Sequence, residues 1–83
     1  MSAKTLTIRI LTPEGTLYEG TAQAVFLPGV VSAFEVLPDH APIISALQTG
    51  QIRVVGAEEQ SFPILSGVVK VENNQITVCA EIV

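Results

Sequence analysis

Hydrophobic and polar residues alternate near both ends of the chain, which is the pattern of β-strands with one buried face. Leu6, Ile8 and Ile10 place their aliphatic side chains on one face of a first strand. The last strand has the same period of two in Ile76, Val78, Ala80 and Ile82. Between these segments turn residues interrupt the chain too often for a long helix. The pattern therefore predicts an all-β fold.

The intervening segments add further short strands. One of them begins at Leu17, and the others span residues 21–27, 33–37, 43–47, 51–55, 61–65 and 68–72. The last strand itself spans residues 75–82. The segment 43–47 fits either a buried strand or one helical turn, and we take it as extended. Short strands about ten residues apart, separated by turn residues, are typical of a β-sandwich or a β-barrel.

Two turns have residues suited to a particular geometry. Residues 12–15, Thr-Pro-Glu-Gly, have proline second and glycine fourth, as a type I turn prefers. Asn73 and Asn74 tolerate the left-handed backbone that a two-residue type I′ hairpin requires at both central positions. We therefore expect a hairpin at each place.

The length of 83 residues predicts one domain over residues 1–83, near the lower size limit for a core without cross-links. Cys79 is the only cysteine, so an intrachain disulfide is impossible and a reducing, intracellular setting fits best. We expect its thiol to be half-buried and inert. The start, Met-Ser-Ala-Lys-Thr, lacks a signal-peptide pattern, and no apolar run approaches the roughly 18 residues of a membrane span. Neither secretion nor membrane insertion is expected.

Charge is scarce and unevenly distributed. The net charge is −4 and the few basic residues are spread along the chain, so nucleic-acid binding is not expected. Only 14% of residues are charged and 48% are hydrophobic, against about 25% charged in a typical domain. Residues 21–52 contain only Glu35 and Asp39, and even the presumed loops there are uncharged. Such loops suggest surfaces covered by another protein, although a small, tightly folded domain of chance composition would look the same.

Candidate catalytic residues are few. His40 is the only histidine, and neighbours on an extended chain point to opposite faces, so Asp39 cannot orient it as a general base. Glu58 and Glu59 are expected in a solvated turn. No second metal ligand accompanies Cys79, and neither a nucleophile elbow nor a phosphate-binding glycine loop occurs. We therefore expect no enzymatic activity of the chain itself, no metal, no cofactor and no small-molecule ligand.

Longer motifs point to a family. Leu27-Pro28-Gly29 together with residues 34–42, Phe-Glu-Val-Leu-Pro-Asp-His-Ala-Pro, closely resembles the epsilon subunit of F-type ATP synthases. The similarity extends to residues 12–15, to Ser66-Gly67 and to the closing run at 74–80. The resemblance implies a flattened β-sandwich of about ten strands.

The resemblance also implies a role and partners. The domain would be a non-catalytic rotor part at the foot of the central stalk, coupling proton-driven rotation of the c-ring to the gamma subunit and so to ATP synthesis. It would lie on the cytoplasmic face of the bacterial inner membrane as a peripheral part of the complex. The residues implied to face gamma are Thr12, His40, Ala41, Pro42, Ile43 and Ser45. Those implied to meet the c-ring are Gly29, Val30, Val31, Ser32 and Ala33.

The chain departs from the family pattern in several places. Members usually have glycine, and often an acidic residue, in the loop where this chain has residues 30–33, and glycine in place of Glu35 and Val68. Typical members continue into a C-terminal helical hairpin, whereas this sequence stops at Val83. A naturally short form and a truncated piece both fit, and neither ATP binding nor helix-mediated inhibition is expected of it. Two alternative functions are a free-standing β-sandwich binding module and a hydrolase centred on His40.

Overall fold

A computed structural model describes residues 4–82 and contains nine strands and no helix in that range. The strands are β1 (Leu6–Thr12), β2 (Gly15–Ala22), β3 (Ala24–Leu27), β4 (Phe34–Val36), β5 (Ile43–Leu47), β6 (Gly50–Val55), β7 (Glu59–Ile64), β8 (Ser66–Glu72) and β9 (Gln75–Glu81). The all-β prediction is confirmed, and the ambiguous segment 43–47 is a strand. Residues 1–3 and Val83, at the limits of the predicted domain 1–83, lie outside the described residues.

The strands form two sheets. The larger sheet has the order β2-β1-β9-β8-β5, and the smaller has the order β4-β3-β6-β7. One hydrophobic cluster joins their facing sides, so the fold is a β-sandwich and not a barrel. The body measures 41 × 24 × 18 Å along its principal axes, which makes it flattened as predicted.

The first and last strands pair in the middle of the larger sheet. β1 and β9 run parallel, in register from Thr7 with Gln75 to Leu11 with Cys79. All other pairs of the described strands are antiparallel. Because β1 also pairs with β2 and β9 with β8, this one parallel ladder joins two hairpins that are far apart in sequence.

The core consists of aliphatic side chains from both inner faces. From the larger sheet the fully buried side chains include Leu6, Ile8, Ile10, Val69, Val71, Ile76 and Val78. From the smaller sheet they include Val25, Leu27, Val36, Ile52 and Val54. Within residues 4–82 no polar or charged side chain is buried. The predicted inward faces of the first and last strands are confirmed, with Ile82 partly buried against the cluster.

The chain crosses from one sheet to the other at Gln23. The sequence predicts one strand over residues 21–27, but β2 ends at Ala22 and β3 begins at Ala24. The Gln23 N–H donates to the Val55 carbonyl at 2.7 Å, which already places it beside the smaller sheet. Ala22 and Ala24, on either side of this corner, are both buried. The hydrophobic pattern therefore continues through the corner and does not show that one strand ends and another begins there.

Both predicted hairpins are present. Asn73 and Asn74 have φ values of 52° and 61°, which is the left-handed backbone of the predicted type I′ turn. In the other turn the Thr12 hydroxyl accepts a hydrogen bond from the Glu14 N–H at 3.3 Å and donates to the Gly15 carbonyl at 3.1 Å. Gly15 has φ 133°, a conformation that L side chains rarely adopt.

The four edge strands are short, irregular or partly covered. In β2 the register with β1 shifts so that Ile10 pairs with Tyr18 and Leu11 with Thr16, which leaves Leu17 in a bulge. At the edges of the smaller sheet, β4 has only three residues, and β7 contains Pro63. The edge of β5 is partly covered by a loop described below.

The packing of β1 leads to a stability prediction. We expect Ile8→Ala to lower the free energy of unfolding by about 3 kcal/mol, because Ile8 is fully buried and its truncation leaves a cavity in the core between the two sheets. Urea unfolding, with an unchanged dependence on denaturant, measures this loss. The neighbouring exposed residue provides the control, since Thr7→Ala is expected to change stability by less than about 0.5 kcal/mol. Equal effects of the two changes would contradict the assigned inward face.

Candidate docking surfaces

The β4–β5 loop, residues 37–42, holds His40 by local hydrogen bonds. The His40 backbone N–H donates to the Leu37 carbonyl at 3.1 Å, and Nδ1 lies 2.7 Å from the Ala41 carbonyl oxygen. A carbonyl only accepts, so Nδ1 carries the proton and, in the neutral ring, Nε2 is left as an acceptor. Asp39 binds other groups, so the two residues form no acid–base pair. The ring is therefore a fixed loop element and a polar contact point.

Asp39 connects the loop to two other parts of the chain. Its carboxylate lies 2.8 Å from Lys4 Nζ, and its backbone N–H donates to Asn74 Oδ1 at 2.6 Å. Asn74 Nδ2 donates in return to Asp39 Oδ1 at 3.2 Å. Asp39 itself has φ 68°, a conformation that aspartate tolerates better than most residues. The hydrogen bond from Lys4, and then that from Asn74, lowers the pKa of the Asp39 carboxyl below its ordinary value.

The β3–β4 loop, residues 28–33, is fastened at its base and exposed at its tip. Gly29 forms an antiparallel bridge with Leu47, and the Val30 N–H donates to the Ala46 carbonyl at 3.1 Å. The Pro28 carbonyl accepts from the Gln48 N–H at 2.9 Å. These bonds cover the outer edge of β5 near its C-terminal end. Val31 at the tip is 98% exposed.

Gly29 is required at the base of this loop by close packing. A Cβ atom at this position would collide with the Ser32 carbonyl oxygen and would lie 3.0 Å from the Phe34 ring. The residue is buried, so the backbone around it has little room to move. The loop can therefore fold back on itself only with glycine here.

The outer face of the larger sheet carries a second exposed apolar region. Register places Leu11, Cys79, Val68 and Ala46 side by side across β1, β9, β8 and β5. We call these four residues the apolar row, and Val30 continues it because its N–H binds Ala46. In the adjacent row Ile44 is 74% exposed and lies opposite Lys70.

The position of Cys79 differs from the prediction. Its thiol is exposed on the outer face and not half-buried, because Val78 and Ala80 on either side of it face the core. On the outer face Cys79 lies beside Leu11 of β1 and Val68 of β8. These neighbours come from other strands, so the alternation within β9 alone did not show whether this face is open to solvent.

The residues implied to face gamma do not form one patch. His40, Ala41 and Pro42 lie in the β4–β5 loop, whereas Ile43 and Ser45 lie opposite the buried Val71 and Val69 and so share the inward side of β5. Thr12 lies at the other end of the sheet. Ile43 lies in the same row as Ile8 of β1, and Thr12 is four residues further along β1, which is roughly 13 Å in the strand direction. β1 and β5 are also three strand spacings apart, which is roughly 14 Å across the sheet.

The residues implied to meet the c-ring do stay together. Gly29, Val30, Val31, Ser32 and Ala33 are consecutive in the β3–β4 loop, and all except Gly29 are exposed. Sequence reasoning missed the exposed residues beside them, Ile44, Ala46 and Val68. The sequence signal for them was that β5 and β8 have apolar residues on both faces. A strand buried on both faces has the same pattern, so the signal did not indicate exposure.

A groove of about 530 Å³ opens between the sheets where β9 ends. Its apolar wall comes from Leu17, Phe62, Ile64, Leu65 and Ile82. Because these residues come from different strands and connections, no motif in the sequence marks the groove. In residues 4–82 no three His, Cys, Asp or Glu side chains are grouped to hold a metal ion. The same range contains no helix that is long and apolar enough to span a bilayer.

A model of the family described as "ATP synthase, Delta/Epsilon chain, beta-sandwich domain" matches residues 5–83. The chain belongs to this family. The resemblance seen in the sequence is thereby confirmed, and the two sheets agree with the fold in the family's description.

Named relatives agree. The chain is 42% identical over 74 residues to the ATP synthase epsilon chain of Synechococcus elongatus, covering 88% of this chain and 54% of that protein. It is 32% identical over 80 residues to that of Acidithiobacillus ferridurans, covering 95% and 57%. With the epsilon chain of Desulfitobacterium hafniense it shares 36% identity over 80 residues, covering 95% and 61%. The chain thus spans a little over half the length of these relatives.

Solved structures show the same fold. A chain of the Euglena gracilis mitochondrial ATP synthase, from a structure of OSCP, F1 and c-ring in rotational state 1, matches with a TM-score of 0.87 at 12% identity, over 94% of this chain and 51% of that one. A chain of the Tetrahymena thermophila mitochondrial ATP synthase, from a structure of the central stalk and c-ring, matches with a TM-score of 0.78 at 12% identity, over 98% and 66%.

The packing at Gly29 leads to a prediction about the β3–β4 loop. We expect Gly29→Ala to lower the free energy of unfolding by about 1–3 kcal/mol, because the added methyl group forces the loop away from Ser32 and Phe34. Amide exchange of Val30 and Gln48 should accelerate as their hydrogen bonds open. The exposed neighbour Ser32→Ala is the control, and unchanged stability and exchange in Gly29→Ala would contradict the close packing.

A second prediction concerns the Asp39 carboxyl. Its pKa is lower in the folded chain than in the unfolded one, so its contribution to stability is present above about pH 4 and is lost as the pH falls through the folded-state pKa. Lys4→Met removes the largest cause and should raise the pKa of Asp39 towards the ordinary value, as followed by NMR of the carboxyl carbon. Lys70→Met, which removes a charge near Glu72, should leave it unchanged. An unmoved Asp39 pKa in Lys4→Met would refute the pairing.

Proposed function

We propose that this chain is a non-catalytic part of the rotor of an F-type ATP synthase, lying between the gamma subunit and the c-ring. Its task is to couple rotation of the ring to gamma, and so to ATP synthesis in other subunits. The observation that carries the proposal is the family match over residues 5–83. Both solved structures named above, which share the fold, are of mitochondrial ATP synthase assemblies with a c-ring, and one of them also contains the central stalk.

The architecture suits the transmission of torque. Two sheets pack through an aliphatic core, and the parallel β1–β9 ladder ties the two ends of the chain within one sheet. A close-packed interior deforms little under load because its atoms are already in contact. A block of this kind passes on rotation without large internal movement.

The gamma-facing side of the proposal centres on the β4–β5 loop. His40, Ala41 and Pro42 present a nearly uncharged surface, and uncharged groups are desolvated at smaller cost than charged ones. Ile43 and Ser45 lie on the inward side of β5, so we assign the gamma contact of that strand to the exposed Ile44. Thr12 belongs to a separate contact at the opposite end of the sheet.

The ring-facing side centres on the β3–β4 loop. Val31 projects from a base that is bonded to β5, so an exposed apolar tip is held on a firm support. The apolar row reaches this loop through Val30 and extends the same side of the molecule. We place this side towards the c-ring and the chain on the cytoplasmic face of the bacterial inner membrane, bound peripherally through the complex.

Reconstitution tests the proposal. The chain is added to a complex of the same organism that lacks its epsilon subunit, and proton-coupled ATP synthesis is measured in vesicles. We expect coupling to return with this chain. No recovery of coupling, together with no retention of gamma or c-ring in a pull-down, would leave a free-standing binding module as the better account.

Charge placed on either loop separates the two contacts. We expect Val31→Asp to weaken retention of the c-ring and His40→Asp to weaken retention of gamma, each by about tenfold or more, because burial of an unpaired carboxylate is costly. Ser61→Asp adds the same charge on the outward side of β7, opposite the exposed Arg53, and is the control. Urea unfolding of each variant excludes misfolding as the cause. Retention that is equal for all three would show that the loops are not the contacts.

A further inference from the structure

The β4–β5 loop is tied to the body of the protein through one residue. Outside the strand ladders of residues 4–82, the hydrogen bonds that join residues 37–42 to other parts of the chain all involve Asp39. The bonds of His40 to Leu37 and Ala41 stay within the loop. The position of the loop relative to the sheet therefore depends on the partners of Asp39.

One of those partners is itself held in place. Asn74 lies in the tight β8–β9 turn, and its carbonyl accepts a hydrogen bond from the Thr7 N–H of β1 at 2.9 Å. Its side chain then exchanges two hydrogen bonds with Asp39, one to the backbone N–H and one to the carboxylate. The loop is thus fastened to a hairpin that is already anchored to the central strands.

These contacts add little to global stability. The side chains of Lys4 and Asp39 are 66% and 58% exposed, and ion pairs between such groups contribute weakly because water screens them. Their effect is local, since each bond removes alternative positions of a loop that has few buried side chains. The network restricts conformation more than it strengthens the core.

We infer that Asp39, Asn74 and Lys4 form a clasp that sets the β4–β5 loop in its docking position before the gamma subunit arrives. The inference rests on the proposed function, because the partner is the one proposed there. If a partner binds only the form in which the clasp is closed, its association rate is proportional to the fraction of molecules in that form. Opening the clasp therefore slows association and leaves dissociation from the formed complex unchanged.

Two single glycine substitutions in the β8–β9 turn, made in separate variants, test the clasp. Asn74→Gly keeps a residue that adopts positive φ but removes both side-chain bonds to Asp39. Asn73→Gly makes the same substitution at the neighbouring turn position and leaves those bonds in place, so it is the control. The wild-type chain and each variant are immobilised in turn, and a gamma-containing complex is the probe. We expect the association rate to fall by about tenfold in Asn74→Gly, with dissociation unchanged. Asn73→Gly should behave like the wild type.

Substitutions of Asp39 separate the hydrogen bonds from the charge. Asp39→Asn retains an acceptor oxygen for Asn74 and tolerates φ 68°, so it should keep most of the association rate. Asp39→Gly retains the backbone conformation and the backbone N–H bond to Asn74 Oδ1 but loses both contacts of the carboxylate, so its association rate should lie between those of Asp39→Asn and Asn74→Gly. Amide exchange of His40 should accelerate in the two slow variants and not in Asp39→Asn.

The outcomes distinguish the two proposals. Absence of any binding by the wild-type chain overturns the proposed function and the docking role of the clasp with it. Binding by the wild type with equal association rates in Asn74→Gly and Asn73→Gly overturns the clasp alone. Slower association in Asn74→Gly accompanied by an equal rise in dissociation would make Asn74 a direct contact and likewise overturn it.

Discussion

The parallel ladder between β1 and β9 is the interaction on which the rest of the structure depends. Without it the larger sheet separates into the β1–β2 hairpin and the β9-β8-β5 part, which share no other strand pairing. The inner face would lose the continuity that lets it cover the smaller sheet. The ladder also fixes the β8–β9 turn against Thr7, and through that turn the position of the β4–β5 loop.

The two outer faces of the sandwich differ in a way that matters for assembly. On the smaller sheet Arg53 lies 4.2 Å over the Phe26 ring and pairs with Glu59 at 3.5 Å, so polar and aromatic groups satisfy one another. The larger sheet instead leaves the apolar row open beside its ion pairs. A core without buried polar side chains in residues 4–82 leaves recognition to the loops and to this one face.

Local features of the fold followed from the sequence, and long-range ones did not. The alternation of the first and last strands and the Asn73-Asn74 turn were predictable because strand period and left-handed φ are properties of neighbouring residues. The corner at Gln23 and the parallel ladder depend on contacts between distant segments. The family motifs supplied the candidate loops, but only strand register shows that Ile44, and not Ile43, faces outwards.

The bridge between Gly29 and Leu47 has a consequence for solubility. An uncovered strand edge recruits strands from other molecules, which is a common route to aggregation. Here the loop base occupies part of the β5 edge, while a bulge, a proline and a three-residue strand disrupt the other edges. The protein can therefore expose apolar side chains for a partner while offering few free backbone groups to its own copies, which favours specific assembly over fibrous self-association.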